Sequence, residues 1–336
     1  MGATGGANTA SRSDNIDIRP QGPSMAILFN SPNDDAGEFE AWRKPLKAAD
    51  PTIDLRFWPD VGRVEDIEYA LVWLPEPGDM QRYPNLKVIF NLGAGVDKLL
   101  ADKTLPYHIP IVRLVDPGLT AGMTEYVLLH TLRHHRGQHI LDQQQKQRVW
   151  RQKLFPLAKD RKIGIMGLGV LGADAAAKLT ALDFDVAGWS RQEKSMPRVT
   201  SYHGKDGLRA FLARTEILVC LLPLTADTRG ILNATLLAQL PKGACLINAA
   251  RGGHLVDADL IAALDSGHIA HATLDVFHQE PLPTDHPFWV HPKVTVTPHV
   301  ASLTQPETAI PVVLDGIRRH KAGLPIPNTV DLKKGY

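Results

Sequence analysis

The sequence predicts an α/β protein made of two doubly wound parallel-sheet domains with a ligand-binding cleft between them. At 336 residues the chain exceeds what a single hydrophobic core usually organises, so about two domains are expected. Short apolar, β-branched runs alternate along the chain with polar helical segments, a pattern typical of parallel sheets covered by helices. The alternation occurs in two series separated by a long helical segment, and each series predicts one sheet.

Each strand is predicted from a short apolar run between polar segments. In the first series these runs are 26–30, 53–58, 69–74, 86–92 and 110–115. In the second series they are 162–166, 184–189, 216–222, 244–248, 272–277 and 294–298. Helices are predicted near 170–182, 206–214, 233–239, 257–266 and 304–322. The helix at 257–266 has Asp257 as its predicted N-cap and Gly267 just past its end.

Residues 120–150 carry apolar side chains at helical spacing without an internal proline, which predicts one long helical stretch that joins the domains or forms a subunit contact. This stretch contains four histidines in pairs four residues apart, namely His130, His134, His135 and His139. Such spacing suits a metal site, but no H-E-x-x-H glutamate and no cysteine accompany it. We therefore expect a solvated or interfacial helix face and no metal.

Composition limits the partners. The 37 basic and 36 acidic side chains leave a formal charge of +1, which offers no basic surface for nucleic acid. The longest apolar runs reach about eight residues, well short of the roughly 18 that cross a bilayer. Cys220 and Cys245 lie inside apolar runs and are expected to be buried, reduced thiols, as in a cytoplasmic protein. Residues 1–24 are polar and glycine-rich, so we interpret them as a disordered, added leader before Met25.

A dinucleotide-binding fingerprint follows the strand at 162–166. Gly167, Gly169 and Gly172 have G-x-G-x-x-G spacing and precede a helical pattern. The first glycine permits the tight turn, the second permits close approach of a pyrophosphate, and the third permits close packing of helix on strand. The N–H groups of Val170 and Leu171 would face the phosphates at the positive end of that helix. Alone, the motif is weak, because a plain glycine-rich turn has the same composition.

The residues after the next strand indicate which dinucleotide is bound. An NAD site usually has an acidic residue here for the adenosine ribose, but this chain has Ser190 and Arg191. Arg191 can hold a 2′-phosphate with its planar guanidinium, and Ser190 can donate a further hydrogen bond. The sequence therefore predicts NADP, with NADPH preferred over NADH. The alternative is that Arg191 is only a solvated surface charge.

Three further segments follow predicted strand ends: 248–257 (NAARGGHLVD), 275–283 (DVFHQEPLP) and 297–302 (TPHVAS). With the fingerprint, they resemble the D-2-hydroxyacid dehydrogenase family over residues 25–336, and most resemble its A-type bacterial glyoxylate/hydroxypyruvate reductases. The resemblance implies catalytic Arg251, Glu280 and His299. It also implies a Rossmann cofactor domain at 123–299 and a flavodoxin-like substrate domain at 25–122 and 300–336. The implied activity is reduction of small 2-oxo acids with NADPH.

The chemistry of these three side chains suits that reaction. Arg251 can bind a carboxylate in bidentate fashion and stays charged at any working pH. His299 can donate a proton to the carbonyl oxygen. Glu280 would keep His299 protonated and orient its ring, so that the other ring nitrogen faces the substrate. Alternatively, each of the three could be a surface or turn residue with no catalytic role.

The resemblance assigns further contacts. It places the substrate carboxylate against the turn that contains Ala94 and Gly95, which on turn chemistry alone could be an ordinary tight turn. Trp73 is either a wall of the pocket or a core residue. The remaining implied cofactor contacts are Leu222, Pro223, Thr225, Ala249 and Asp275.

Two alternatives remain open at this point. A non-catalytic, corepressor-like protein that senses nicotinamide cofactors could use the same fold. A formate or phosphite dehydrogenase would want an acidic residue at 190 or 191, which is absent. The expected partners are a small 2-oxo acid and a second copy of the chain in a homodimer. Domain closure is expected about hinges near 120–124 and 299–304.

Overall fold

The protein consists of two parallel β-sheets, each flanked by helices. The computed structural model describes residues 25–31 and 36–336, so the predicted leader lies outside the described residues. Every strand pairing is parallel, and the two sheets have five and seven strands. The predicted fold class is therefore confirmed.

The first sheet has the order β2-β1-β3-β4-β5. Its strands are β1 (Ala26–Asn30), β2 (Asp54–Phe57), β3 (Ile67–Val72), β4 (Val88–Asn91) and β5 (Ile111–Arg113). All five strands were predicted. Strands β1 and β4 are buried along their whole length, as expected for parallel strands covered on both faces.

The second sheet has the order β12-β11-β10-β9-β6-β7-β8. Its strands are β6 (Lys162–Met166), β7 (Asp185–Ser190), β8 (Val199–His203), β9 (Ile217–Cys220), β10 (Ala244–Asn248), β11 (Ile269–Leu274) and β12 (Val294–Val296). The edge strand β8 was missed, since its partly exposed residues lack a buried apolar run. Strand β11 ends at Leu274, so Asp275 lies just past its carboxyl end.

The helices of four residues or more are α1 (Ala36–Ala49), α2 (Pro117–His135), α3 (Gln138–Gln147), α4 (Val170–Ala181), α5 (Gly204–Arg214), α6 (Ala234–Leu237), α7 (Asp257–Asp265) and α8 (Pro306–Lys321). Helix α8 packs Ala309, Ile310 and Val313 into the core of the first sheet. Helix α2 packs Met123 and Val127 into a core of the second sheet. These two helices therefore cross between the halves of the sequence.

The prediction of one long helix over 120–150 is wrong. Helix α2 ends at His135, and α3 begins at Gln138 after Gly137, whose φ is +59°. A side chain at Gly137 would collide with the ring of Phe155, so the chain both turns and packs closely here. The absence of proline did not reveal this break.

The expectation of a solvated histidine face is also wrong. His130, His134 and His135 are buried, and the Nε2 atom of His134 lies 3.0 Å from the Thr273 hydroxyl oxygen. Burial and, to a smaller extent, the nearby charge of Arg133 lower the pKa of His130 to about 4, so this histidine is neutral at pH 7. Within residues 25–31 and 36–336, no histidine, cysteine and carboxylate side chains cluster as metal ligands.

Two smaller predictions have different outcomes. Asp257 is the first residue of α7 rather than its N-cap, which is Val256, while Gly267 does follow the helix with a φ of +72°. Cys220 and Cys245 are free and buried, as predicted, and burial raises the pKa of each thiol to about 12. Within the described part of the chain, no helix is both long and apolar enough to span a membrane.

Candidate active site

A pocket between the two sheets brings together residues from both halves of the chain. Its lining residues are Trp73, Leu74, Asn91, Gly95, Asp97, Lys98, Leu99, Arg251 and His299. The first seven follow β3 and β4 of the first sheet, and the last two follow β10 and β12 of the second. Ligands of doubly wound sheets bind outside the carboxyl ends of the strands, and both sheets present those ends to this pocket.

Arg251 reaches across the cleft from the turn that follows β10. Its Nε donates to Asp97 Oδ1 at 2.9 Å, and its Nη1 donates to the Ala250 carbonyl at 2.7 Å. Asp97 belongs to the other half of the molecule, so this charged hydrogen bond joins the two sides of the cleft. The guanidinium is held in one orientation, with Nη2 directed at the turn of residues 93–95.

This contact explains a glycine of the first sheet. A Cβ built on Gly95 would collide with the Arg251 guanidinium, so any other residue would push the arginine away. The turn itself is held by Asn91, whose Nδ2 donates to the carbonyls of Gly93 and Gly95 at 2.9 and 3.1 Å. The glycine-rich turn and Arg251 therefore form one unit.

His299 and Glu280 form a second unit. The Nδ1 of His299 lies 3.0 Å from Glu280 Oε2, and Oε1 of the same carboxylate accepts the Phe277 N–H at 3.0 Å. The carboxylate is thus fixed at both oxygens, and the imidazole is oriented through Nδ1. This arrangement leaves Nε2 available to act on a bound molecule.

Glu280 remains ionised. Burial alone would raise its pKa, but the hydrogen bonds from His299 and the Phe277 N–H, with the charges of His299 and Lys98, lower the pKa to about 2. The Lys98 ammonium lies 3.4 Å from Oε2, the oxygen that His299 also contacts. Glu280 therefore carries a negative charge throughout the working pH range and contacts both the His299 imidazole and the Lys98 ammonium.

Asp275 fixes the loop that carries His299. Its carboxylate is fully buried and accepts from Thr297 Oγ1 at 2.6 Å and from the N–H groups of Val300 and Ala301 at 2.9 Å each. The backbone of His299 has a φ of +54°, and its N–H donates to the Asp275 carbonyl at 2.9 Å. Asp275 therefore holds His299 in an uncommon backbone conformation, a role that the sequence did not reveal. Its predicted cofactor contact stays a prediction.

The fingerprint turn has the form of a phosphate cradle. Gly167 has a φ of +103° and leads from β6 into α4, which begins at Val170. A Cβ on Gly172 would collide with the Gly167 carbonyl, whereas nothing lies within 4 Å of a Cβ on Gly169. The side of Gly169 is therefore open for a ligand. The N–H groups of Val170 and Leu171 lie in the first turn of α4 and have no acceptor within the helix, so these residues fit a pyrophosphate.

The other predicted cofactor residues surround this turn. A Cβ on Gly167 would lie 2.6 Å from the Leu221 carbonyl, so the loop with Leu222 and Pro223 lies directly beside the cradle. In that loop the Thr228 hydroxyl accepts the Thr225 N–H at 2.8 Å and donates to the Pro223 carbonyl at 2.7 Å. Ala249 is buried at the end of the neighbouring strand β10. Their contacts with a cofactor remain predicted.

Ser190 and Arg191 lie at the end of β7, next to the cradle strand β6. Arg191 is exposed, but Ser190 is nearly buried and its hydroxyl donates to the Gln192 carbonyl at 2.5 Å. Ser190 must therefore rotate its hydroxyl to donate to a phosphate. Arg191 is able to reach such a group directly.

The substrate-side predictions have a mixed result. Trp73 lines the pocket and also packs partly against the first-sheet core, so both interpretations of it apply. Ala94 lies in the glycine-rich turn but does not line this pocket, whereas Gly95 does. Sequence reasoning missed Asn91, Asp97 and Lys98. Asn91 and Asp97 are the first and last residues of the sequence NLGAGVD (91–97), which contains the glycine-rich turn, and Lys98 follows it. Their positions next to a ligand-binding turn are the only sequence signal for them.

Comparison with known proteins finds a matching family and relatives that are similar over most of the chain. Residues 128–301 match the family model for the D-isomer specific 2-hydroxyacid dehydrogenase NAD binding domain. Glyoxylate/hydroxypyruvate reductase A of Yersinia enterocolitica is 43% identical over 318 residues, which cover 93% of this chain and 100% of that protein. The corresponding protein of Photorhabdus laumondii is 42% identical over 317 residues, with the same coverage.

Solved structures agree with these relatives. A D-isomer specific 2-hydroxyacid dehydrogenase from Xanthobacter autotrophicus Py2, in complex with NADPH and MES, matches with a TM-score of 0.89 and 46% identity. An NADPH-dependent glyoxylate/hydroxypyruvate reductase from Sinorhizobium meliloti, in complex with NADP and sulfate, matches with a TM-score of 0.87 and 41% identity. Each match covers 93% of this chain and 100% of the other.

The two parallel sheets and the fingerprint turn between β6 and α4 define a two-domain α/β dehydrogenase fold. The chain belongs to the D-isomer specific 2-hydroxyacid dehydrogenase family. Its relatives are named as reductases and dehydrogenases, which supports the enzyme interpretation and not the corepressor-like alternative.

Proposed function

We propose that the protein is an NADPH-dependent reductase of small 2-oxo acids, which converts glyoxylate to glycolate and hydroxypyruvate to D-glycerate. The observation that carries this proposal is the pocket in which Arg251 and the His299–Glu280 pair face one space between the sheets. A fixed cation, Arg251, and a proton donor, His299, both line one small pocket and match the two polar ends of a 2-oxo acid.

The residues divide the reaction between them. Arg251 binds the carboxylate of the 2-oxo acid with the part of its guanidinium that Asp97 and Ala250 leave free, assisted by the N–H groups of Ala94 and Gly95 in the neighbouring turn. His299 donates a proton from Nε2 to the carbonyl oxygen while Nδ1 stays on Glu280. Arg251 thereby sets the orientation in which the carbonyl meets His299.

The chemistry that bound NADPH supplies is transfer of a hydride to the carbonyl carbon, so the 2-oxo acid gains a hydride and a proton and becomes a 2-hydroxy acid. Gly167, Gly169, Val170, Leu171 and Gly172 would hold the pyrophosphate. At its adenosine end, Arg191 would bind the 2′-phosphate and Ser190 would assist. Leu222, Pro223, Thr225, Ala249 and Asp275 would border the rest of the cofactor.

A direct test measures NADPH oxidation at its absorbance band with glyoxylate, hydroxypyruvate and larger 2-oxo acids. We expect turnover with the two small acids. Because Arg191 takes the place of the usual acidic residue, kcat/KM should be roughly 10- to 100-fold higher with NADPH than with NADH. Cofactor binding without turnover of any 2-oxo acid would contradict the proposal and favour a sensing protein.

The proposed domain division follows from packing. Residues 25–122 and 300–336 form the substrate domain, and residues 123–299 form the cofactor domain. Support comes from α8, whose apolar face packs on the first sheet, and from Met123 and Val127, which pack on the second. The connections near 120–124 and 299–304 are then the hinges about which the cleft closes.

We also propose that two copies form a homodimer in the cytoplasm. Several large apolar side chains are exposed on α2, on α3 and on the segment that follows α3, namely Leu129, Leu132, Leu141, Val149, Trp150, Leu154 and Leu157. Trp150 and Leu154 are 95% and 97% exposed, and a cluster of this kind is typical of an interaction surface. The two free, buried thiols fit a reducing compartment.

Sedimentation equilibrium tests the dimer. The wild-type protein should sediment as a dimer, and the double variant Trp150→Asp with Leu154→Asp should sediment as a monomer because two charges would enter the interface. Leu182→Asp is the matched control, since Leu182 is also exposed but lies at the end of α4. A monomeric wild-type protein would exclude the proposed assembly.

A further inference from the structure

Arg191, the residue expected to bind the 2′-phosphate, already has a partner. Its Nη2 donates to the phenol oxygen of Tyr336 at 2.5 Å, and its Cζ lies 5.5 Å from the centre of the Tyr336 ring. Arg191 is exposed, while Tyr336 is only partly exposed. Among the described residues, the tyrosine is the one side chain that hydrogen-bonds to this guanidinium.

Tyr336 belongs to a segment that is bonded to the first sheet, whereas Arg191 follows β7 of the second sheet. Residues 328–330 run along β5 of the first sheet, where the Arg113 N–H donates to the Asn328 carbonyl at 3.2 Å and the Val330 N–H donates to the Ile111 carbonyl at 2.8 Å. Val330 is buried in the core of that sheet. The Asp331 N–H donates to the Tyr336 carbonyl at 3.2 Å, so the segment folds back on itself. The contact between Tyr336 and Arg191 therefore joins the two sheets.

The chemistry of the pair suits a phosphate monoester. The phenol oxygen accepts from Arg191, and no other partner of this hydroxyl lies in the described part of the chain, so its proton is available to an acceptor. A phosphate monoester offers three acceptor oxygens. The tyrosine ring also restricts the guanidinium, so less rotamer entropy is lost when the arginine binds the phosphate.

A second arginine interacts with Tyr336. Arg113, at the end of β5, is partly buried, and burial lowers its pKa while its electrostatic interaction with Tyr336 opposes that change. Tyr336 thus lies near an arginine of the first sheet as well as Arg191 of the second. An anion that reaches Tyr336 would be attracted from both sides of the cleft.

We propose that Tyr336 is a specificity-determining residue for the 2′-phosphate of NADPH, which it contacts through its hydroxyl while its ring holds the Arg191 guanidinium in place. The proposal rests on the proposed use of NADPH. Because Arg191 and Tyr336 come from opposite sides of the cleft, the 2′-phosphate would also fasten the two sides together, which the 2′-hydroxyl of NADH cannot do.

Calorimetric titration tests this without turnover. Adenosine 2′,5′-bisphosphate and 5′-AMP differ only in the 2′-phosphate, so the ratio of their dissociation constants isolates the contacts to that group. In Tyr336→Phe, loss of one hydrogen bond to a charged group should reduce the wild-type ratio roughly tenfold or more. Tyr336→Leu should reduce it further because the ring is lost, and 5′-AMP should bind all variants equally.

A matched control removes a different phenol hydroxyl. The Tyr107 hydroxyl donates to the carbonyls of Leu100 and Asp102, away from Arg191, so Tyr107→Phe should leave the ratio unchanged. The kinetic counterpart is a rise in KM for NADPH in Tyr336→Phe with KM for NADH unchanged.

The outcomes separate this inference from the proposed function. If the wild-type protein does not distinguish the bisphosphate from 5′-AMP, the NADPH preference is wrong and the role of Tyr336 falls with it. If the wild-type protein distinguishes them and both Tyr336 variants do so equally well, only the inference is wrong. Equal weakening of both ligands in the variants would mean that Tyr336 has only a structural role. Tighter binding of the bisphosphate in the variants would mean that Tyr336 hinders binding of the 2′-phosphate. Either result overturns the proposal.

Discussion

The centre of the cleft and its adenosine edge are organised differently. At the centre, Arg251 is fixed by Asp97 and Ala250, and His299 is fixed by Glu280. At the edge, Arg191 is an exposed side chain with one tyrosine partner, and the Ser190 hydroxyl is engaged elsewhere. The groups that would meet the reacting carbonyl thus have several partners each, whereas Arg191, which would choose the cofactor, lies on an exposed edge and depends on Tyr336 alone.

The difference has a physical cause. Proton donation needs a fixed geometry, and preorganised groups pay little reorganisation when the substrate arrives. Discrimination between two cofactors needs only a difference in binding free energy, which an exposed arginine supplies even when it moves. Changes at the centre should therefore have large effects on turnover, and changes at the edge should have smaller effects confined to one cofactor.

The largest effect is expected for Arg251→Met. The substitution removes the bidentate partner of the carboxylate, and two charged hydrogen bonds together are worth about 3–6 kcal/mol, so kcat/KM for glyoxylate should fall by roughly 10²- to 10⁴-fold. Steady-state kinetics with saturating NADPH measures it. Arg209→Met, at an exposed arginine of α5, which lies on the same sheet away from the pocket, is the control. A loss below tenfold would mean that Arg251 does not bind the substrate carboxylate.

Asp275→Asn should have the next largest effect. One of the two oxygens, each of which accepts one backbone N–H, becomes an amide nitrogen that faces that N–H, which leaves a buried donor without an acceptor. We expect a loss of about 1–3 kcal/mol in unfolding free energy by urea denaturation and a fall of about 100-fold in kcat, because His299 loses its position. Loss of stability with unchanged kcat would show that the loop does not depend on this carboxylate.

Glu280→Gln tests the second central unit through pH. Since the pKa of Glu280 is about 2, wild-type Glu280 is ionised at every assay pH and stabilises the protonated form of His299. The neutral amide removes that charge at 3.0 Å, so the alkaline limb of the reduction profile should move to lower pH by about one to two units. Profiles of kcat/KM against pH measure the move. An unmoved limb contradicts the role of Glu280.

From the sequence, Arg251, Glu280 and His299 were expected to lie together because each follows a strand of the second sheet, namely β10, β11 and β12. Parallel strands bring such positions to one edge, and the three residues do lie close to one another there. Their catalytic roles stay predictions. The same rule located the fingerprint. Local pattern therefore determined both the sheets and the residues at their carboxyl ends.

Lys98 and Tyr336 could not be predicted in the same way. Lys98 is 182 positions from Glu280, and Tyr336 is 145 positions from Arg191, so each contact exists only because the two sheets approach one another. The break at Gly137 depends likewise on close packing against Phe155. No local periodicity encodes these long-range approaches.

Arg191→Ala tests the residue that is expected to bind the 2′-phosphate at the adenosine edge of the cleft. Loss of the charged partner of the 2′-phosphate should raise KM for NADPH about tenfold or more and leave KM for NADH and kcat nearly unchanged. The ratio of kcat/KM values for the two cofactors measures the change. Exposed Arg198, which pairs with Asp183 near the same strand, provides the control Arg198→Ala. A parallel loss with both cofactors would mean that Arg191 does not read the phosphate.

The smallest effect is expected for Lys98→Met, which tests whether Lys98 influences the His299–Glu280 pair at the centre of the cleft. Lys98 is half exposed, and its ammonium lies 3.4 Å from the Glu280 oxygen that His299 also contacts. Removing this competing cation should strengthen the interaction between Glu280 and protonated His299, so the alkaline limb should move to higher pH by a few tenths of a unit, opposite to Glu280→Gln. The exposed neighbour Lys103 gives the control Lys103→Met. If KM for glyoxylate rises while the limb stays in place, Lys98 acts on the substrate and the His299–Glu280 pair is independent of it.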